Sequence, residues 1–288
     1  MAMAAMAQQR PLWMRFPAIS PDGKTIVFSY KGDLFTVPAT GGRAYQLTSN
    51  PAYDANPVWS PDGSQIAFAS NREGSLDVYV VSRDGGAPTR LTTRSEIELP
   101  VAFSDNDHVL YSMAYMPAPE SNIFASAKFP QTYEVSTQGG RSRMFSSMPM
   151  ADPNINHNNG NILYHDMKGA EDIFRKHHQS PICRDIWLFN PTAGSYTKLT
   201  DFGGEDRTPV WTADGTGYYY LSEKDGTFNI YHRSLDGASE QQLTHHQKNP
   251  VRYLTAAADG TLCYAYDGEI YTVREGSDVC SSDLSHSG

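Results

Sequence analysis

The sequence predicts an all-β protein: a six-bladed β-propeller with four-stranded antiparallel blades, the last of them incomplete. Three observations carry this. One turn recurs six times, at spacings of roughly 40 to 55 residues, the period of four-stranded blades. Each copy sits between the same kinds of strand in the same order. No window sustains an apolar period of 3.6, so helices have no signal to build on.

The turn is clearest as Ser20-Pro21-Asp22-Gly23 and Ser60-Pro61-Asp62-Gly63. Weaker copies follow at Ser104-Asp105-Asn106-Asp107, His157-Asn158-Asn159-Gly160, Ala213-Asp214-Gly215 and Ala258-Asp259-Gly260. The Asp-Gly pair is expected to supply the positive φ values of a tight hairpin. A short apolar strand precedes the turn in five units, at residues 16–20, 57–60, 99–104, 209–212 and 252–256. A β-branched and aromatic strand follows in all six, at 25–30, 65–69, 109–113, 161–165, 217–221 and 261–266. Third strands with alternating apolar positions lie at 33–37, 77–81, 132–135, 185–189, 228–232 and 269–273. After a Gly turn, a fourth short strand closes five units, at 46–48, 90–92, 144–146, 198–200 and 242–244. The sixth unit lacks it. One such sheet cannot bury both faces alone, whereas radial stacking covers each face with the next blade. A two-sheet sandwich would use similar strands but gives no reason for one turn to recur six times.

The propeller is therefore placed at residues 11–276, with blades at about 15–51, 54–95, 98–149, 151–204, 205–250 and 251–276. Residues 1–10 read MAMAAMAQQR, where Ala5-Met6-Ala7 resembles the small-x-small end of a secretory signal. They are read as the remnant of an export signal, which implies an exported, periplasmic or cell-envelope protein. Residues 277–284 read SDVCSSDL, like the translation of a sequencing adapter, so 277–288 are expected to be a non-native tail. An open sixth blade would expose a sheet edge, an aggregation hazard.

Composition narrows the functional classes. The 288 residues carry a net charge of −9, which argues against nucleic acid as partner, because phosphate binding needs a basic surface. No apolar run approaches the roughly 20 residues of a spanning helix. Cys183, Cys263 and Cys280 lack metal-ligand spacing. Cys183 and Cys263 read as separate buried thiols, with a single bridge as the alternative in an oxidising compartment.

Two insertions break the period. Residues 114–129 lengthen the third blade and are rich in Met, Pro and Ser; they read as a surface loop that covers the channel or meets a partner, or equally as a tolerated loop with no role. Residues 168–184 read KGAEDIFRKHHQSPICR in the fourth blade. There Glu171 and Asp172 stand beside Arg175, Lys176, His177 and His178. Adjacent histidines rarely converge on one metal ion without a third ligand, so no metal is assigned. The leading reading is a charged loop bonded to its own scaffold; the second is a loop that touches peptide through Arg175, His177 and His178. His245-His246 is expected to be solvated, and Trp59 and Trp211 to pack between blades rather than form a binding platform. Catalysis needs a nucleophile, a base in reach and an oxyanion site. The chain has no Gly-x-Ser-x-Gly elbow, no His-Glu-x-x-His and no phosphate loop, so no catalytic residue and no cofactor is assigned.

The stretch Phe16-Pro17-Ala18-Ile19-Ser20-Pro21-Asp22-Gly23, with Phe28 and Gly32-Asp33-Leu34-Phe35, resembles the first propeller blade of tricorn-type peptidases. Glu171-Asp172, Arg175-Lys176-His177-His178 and Arg184-Asp185-Ile186-Trp187 are similar to that family too, and more specific than the turns. The Ser-Pro-Asp-Gly turns are shared with TolB and with propellers of prolyl-oligopeptidase relatives. The resemblance covers about residues 11–276. It implies a propeller that gates peptides ahead of a PDZ domain and a serine-peptidase core in the same parent chain, with the catalytic residues in that core. Unfolded peptide and those downstream domains are the implied partners. Two rivals stand beside this reading. One is a TolB-type periplasmic scaffold, although only about ten residues precede the first blade, where TolB has an α/β domain. The other is the propeller of a dipeptidyl-peptidase-type hydrolase.

Overall fold

A hydroxyl and a carboxylate two residues apart build the repeated turn. In blade 1, Ser20 Oγ donates to Asp22 Oδ1 (2.5 Å) and accepts from the Thr25 amide (3.0 Å), while Asp22 Oδ1 also accepts from the Lys24 amide (3.1 Å). Ser60 and Asp62 repeat these bonds in blade 2, and Thr212 and Asp214 in blade 5. The hydrogen bonds draw the carboxyls below their ordinary range, Asp214 to about 2, with Thr212 as the largest cause. Of the Asp-Gly pair, only the glycine is left-handed (Gly23 φ 71°, Gly63 φ 69°, Gly215 φ 69°). The aspartate works through its side chain instead, as an Asx-type acceptor.

The structure, a computed structural model, describes residues 13–114, 129–168, 180–276, 280–281 and 284–285. It is a six-bladed propeller of antiparallel sheets, each meandering outward from the axis. The innermost strands are Arg15–Ile19, Asp54–Trp59, Leu99–Asp105, Ala151–Ile155, Asp206–Trp211 and Arg252–Ala256. The second strands are Thr25–Tyr30, Gln65–Ser70, His108–Met113, Ile162–His165, Gly217–Ser222 and Leu262–Tyr266. The third are Asp33–Pro38, Asp77–Ser82, Gln131–Ser136, Ile186–Asn190, Asn229–Ser234 and Glu269–Val273. Five blades add a fourth: Tyr45–Gln46, Thr89–Arg90, Arg143–Ser146, Ser195–Lys198 and Glu240–Gln242. Blade 6 has three full strands. Cys280 and Ser281, inside the segment expected to be non-native, pair with Thr272 and Tyr271 on its outer edge.

The fourth strands end two residues before the sequence suggests in four blades, for a reason common to all four. The Leu-Thr pair that closes each does not continue the ladder in the ordinary way. Thr48, Thr92, Thr200 and Thr244 turn inward, and each hydroxyl accepts the amide fourteen residues earlier, at Leu34, Val78, Ile186 and Ile230 (2.9–3.0 Å). All four threonines are buried. Thr244→Val keeps the shape and removes the acceptor, which also orphans its bond to Asn229 Oδ1 (2.9 Å). Burying an unsatisfied amide is expected to cost about 1–3 kcal/mol, read as a lower urea midpoint. A midpoint equal to wild type would show that this bond is dispensable.

Apolar clusters lie between blades, as radial stacking requires. Ile26, Phe28 and Val37 of blade 1 meet Ala257, Cys263 and Ile270 of blade 6, which closes the ring. Three bonds seal the same seam: Ile19 N–H to Thr255 Oγ1 (3.1 Å), Ala258 N–H to Pro21 O (2.9 Å) and Met14 N–H to Gly268 O (3.2 Å). Trp59 and Trp211 are inter-blade residues, as expected. Their indole N–H groups donate to Ala18 O (2.9 Å) and Asn154 O (3.0 Å) of the preceding blade. Cys183 and Cys263 are separate buried thiols. His246 departs from expectation. It is half-buried rather than solvated, stacked on Tyr266 at 3.8 Å and within 3.2 Å of the Tyr264 hydroxyl, because the blade 5–6 seam is lined with tyrosines. No helix long and apolar enough to cross a membrane occurs among the described residues.

Candidate functional site

Five of the six innermost strands contain proline: Pro17, Pro57, Pro100, Pro153 and Pro209. Proline has no N–H to give a ladder, so it suits a strand with one unpaired edge, and here that edge faces the ring axis. Each innermost strand carries a bulge near its start, between Arg15 and Ala18, Ala55 and Val58, Pro100 and Ala102, Ala151 and Asn154, Arg207 and Val210, or Arg252 and Thr255. In five of them the bulged residue is left-handed: Phe16 (φ 52°), Asn56 (52°), Asp152 (46°), Thr208 (50°) and Tyr253 (59°). Such a backbone costs about 1 kcal/mol or more at each non-glycine position and persists where surrounding structure enforces it. The consequence is a set of residues at equivalent positions around the axis.

They line a central channel of about 1190 Å³ with contributions from all six blades. Between blades 4 and 5 its wall holds a buried polar network. Glu205 accepts from Arg207 Nε (2.8 Å) and lies 3.6 Å from Arg184 Nη1. The Glu205 amide donates to Glu223 Oε1 (3.1 Å). Burial pushes the Glu205 carboxyl up, but the Arg207 hydrogen bond and the charges of Arg207, Arg184 and His165 outweigh it and hold it below the ordinary value. Arg207 also lies 5.0 Å over the Phe228 ring. His165 Nδ1 accepts from the Thr208 amide (3.2 Å), and Thr208 Oγ1 donates to Asp152 Oδ2 (2.7 Å). Burial, aided by both arginines, pushes His165 down to about 4 against the pull of Asp152, so the ring is neutral at pH 7. Further round the ring, between blades 6 and 1, Phe16 and Tyr253 meet at 4.7 Å between ring centres.

Arg175, His177 and His178 lie outside the described residues. The two ends of their insertion are described, and they are tied together. Lys168 Nζ donates to Cys183 O (2.7 Å) and pairs with Asp185, which also takes Lys198 (2.9 Å). Asp166 accepts from the Asp185 amide (2.8 Å) and from Trp187 Nε1 (3.0 Å). Both long insertions join second to third strands of neighbouring blades, so their ends share the face on which the innermost strands begin. Arg184, within the stretch that suggested a family, does reach the channel wall. The sequence reading missed Arg15, Arg207, Arg252, His165 and Glu205. The signal for three of them was there: the arginines stand one residue before each bulge, in Arg15-Phe16-Pro17, Arg207-Thr208-Pro209 and Arg252-Tyr253.

Residues 11–278 match the family described as the tricorn protease N-terminal beta propeller domain. The chain belongs to that family. Tricorn protease homolog 1 of Streptomyces coelicolor is 27% identical over 268 residues, which cover 92% of this chain and 24% of the homolog. The crystal structure of the tricorn protease superposes with a TM-score of 0.78 at 19% identity, covering 97% of this chain and 27% of that one. TolB from Acinetobacter baumannii shares the fold, with a TM-score of 0.64 at 13% identity over 94% of this chain and 61% of its own. The tricorn-type propeller thus spans about a quarter of the length of the tricorn relatives it matches.

Proposed function

We propose that this propeller is the peptide gate of an exported tricorn-like serine peptidase whose PDZ domain and catalytic core lie elsewhere in the parent chain. The closed ring around a channel built by the innermost strands of all six blades supports this reading. Innermost strands turn an edge that no further strand pairs, together with bulged side chains, to the axis, which suits an extended chain better than a folded one. Arg175, His177 and His178, in the fourth-blade insertion, contact peptide.

Fluorescence anisotropy with a labelled unstructured peptide tests the gate. The peptide should bind, and a labelled folded domain of similar charge should not. Ala151→Trp, which narrows the channel, and the triple variant Arg175→Ala/His177→Ala/His178→Ala should each weaken binding about tenfold, or ~1.4 kcal/mol. Equal binding of folded and unfolded probes, or an unchanged affinity in both variants, would remove the gating role. Sequencing the parent gene past codon 276 checks the parentage separately. A PDZ and serine-peptidase core are expected there, and a stop codon would overturn the peptidase parent.

A further inference from the structure

The residue five positions before each repeated turn (counted from Ser20, Ser60, Ser104, Asn156, Thr212 and Ala257) stands at the same height around the ring axis in every innermost strand. Reading it around the ring from blade 5 gives Arg207, Arg252, Arg15, Ala55, Leu99 and Ala151. Three consecutive blades carry arginine, and the other three carry uncharged alanine or leucine. Arg184 joins the charged side, since its carbonyl accepts from the Asp206 amide (3.0 Å) next to Arg207. The wall therefore holds four arginines, against Asp152 and Glu223 among its own carboxylates and Glu205 directly behind. His165, neutral at pH 7, adds no charge. This cationic arc sits in a chain with a net charge of −9, so it opposes the field of the molecule around it.

The arc is also graded. Arg184 and Arg207 share the buried Glu205, whereas Arg15 is exposed and Arg252 half-buried at the start of their strands. Between Arg15 and Arg252 stand the paired rings of Phe16 and Tyr253. Guanidinium groups offer forked N–H donors that match carboxylates, and a channel wall of low dielectric strengthens such contacts.

We propose that the channel selects acidic peptides, with aspartate and glutamate side chains bound along the arc of Arg15, Arg252 and Arg207. This rests on the reading of the channel as a peptide path and adds the chemical class of what passes. The opposite side, with Ala55, Leu99 and Ala151 at the matching positions, carries no charge there and leaves the chain itself an uncharged wall.

The test uses the 288-residue protein and three labelled twelve-residue peptides of one design: Asp/Glu-rich, its Asn/Gln counterpart, and its Lys counterpart. Anisotropy at low salt should show the acidic peptide bound about tenfold or more tightly than the amide one and the lysine peptide weakest, with the preference fading as salt rises. Arg15→Gln/Arg252→Gln should erase the preference while the amide peptide binds as before; the thermal melt of the double variant checks that it is folded. Binding of all three peptides with equal affinity would overturn the charge selection and leave the peptide path standing. Failure of every peptide to bind would remove the path itself. A short oligonucleotide binding more tightly than the acidic peptide would also overturn the proposal.

Discussion

Glu205→Ala is expected to lower folding stability by about 3–5 kcal/mol, the cost of leaving buried charge unpaired. Three features place it at that end of the scale. Glu205 is 6% exposed, and its two cationic neighbours are nearly as enclosed. The carboxylate is the shared anion of Arg184 and Arg207, so one deletion leaves two guanidinium groups short of charge. Its amide and that of Asp206 tie the segment between blades 4 and 5 to Glu223 and Arg184, so the damage falls on a seam rather than a tip. Glu205→Gln, which keeps a hydrogen-bond acceptor, should lose less than alanine does. The pH dependence has a definite sign. Glu205 is held below its ordinary value of 4.5, so its contribution is present above that pH and is lost as pH falls through the lower folded value. The gap between wild type and Glu205→Gln in urea melts should accordingly shrink from pH 7 towards pH 3. A loss under about 1 kcal/mol for Glu205→Ala would mean that water already screens these arginines, as it does at surface pairs.

The same network shows where sequence reading reaches its end in a propeller. The second and third strands are legible because both of their faces are covered by neighbouring blades. Runs such as Ile26 to Phe28 and Tyr218 to Leu221 are almost wholly apolar and wholly buried. The turns are legible because Ser, Asp and Gly each have a separate task at fixed spacing. The innermost strands are less so, because one edge faces the channel and their burial is mixed. Ala151–Ile155, with the sequence Ala-Asp-Pro-Asn-Ile, has no strand signature at all, and it went unread while its bulge and proline matched those of blades 1, 2 and 5. Channel residues are therefore found by aligning prolines, not by hydrophobicity. His246 was misread for a related reason. Its neighbours in sequence are polar, and the Tyr264, Tyr266 and Tyr271 rings that enclose it come from the next blade. Closure of the ring was equally out of reach, since it depends on Ile19 and Thr255 meeting across 236 residues.

Asp206→Asn is expected to gain stability relative to wild type as pH rises from 4 to 7, by about 2 kcal/mol across that span. The comparison between blades explains why. Blade 2 begins with Asp54, and Arg72 two residues beyond Ser70 reaches both of its carboxylate oxygens at 3.0 Å. Blade 5 repeats the pattern with Asp206, Ser222 and Lys224, but Lys224 is drawn away to Glu240 (2.8 Å) and the Tyr220 hydroxyl (2.9 Å). Asp206 is fully buried, and neither of its carboxylate oxygens has a hydrogen-bond partner in good geometry. Burial raises its pKa to about 6 despite the nearby Ser222 hydroxyl and Lys224 charge. A carboxyl whose folded value exceeds its unfolded value of 3.8 destabilises the fold once it must ionise, so stability falls as pH rises through 6. Asparagine has no charge to bury and removes that slope. Whatever the amide costs in packing is the same at every pH, so the change in the difference between the two proteins is the quantity to measure. Thermal melts at half-unit steps would give it. Lys224→Arg provides an independent arm: a guanidinium can reach Asp206 as Arg72 reaches Asp54, and it should flatten the same slope with the aspartate in place. A wild type and Asp206→Asn pair whose difference stays constant from pH 4 to pH 7 would show that Asp206 is already ionised and solvated in the folded ring.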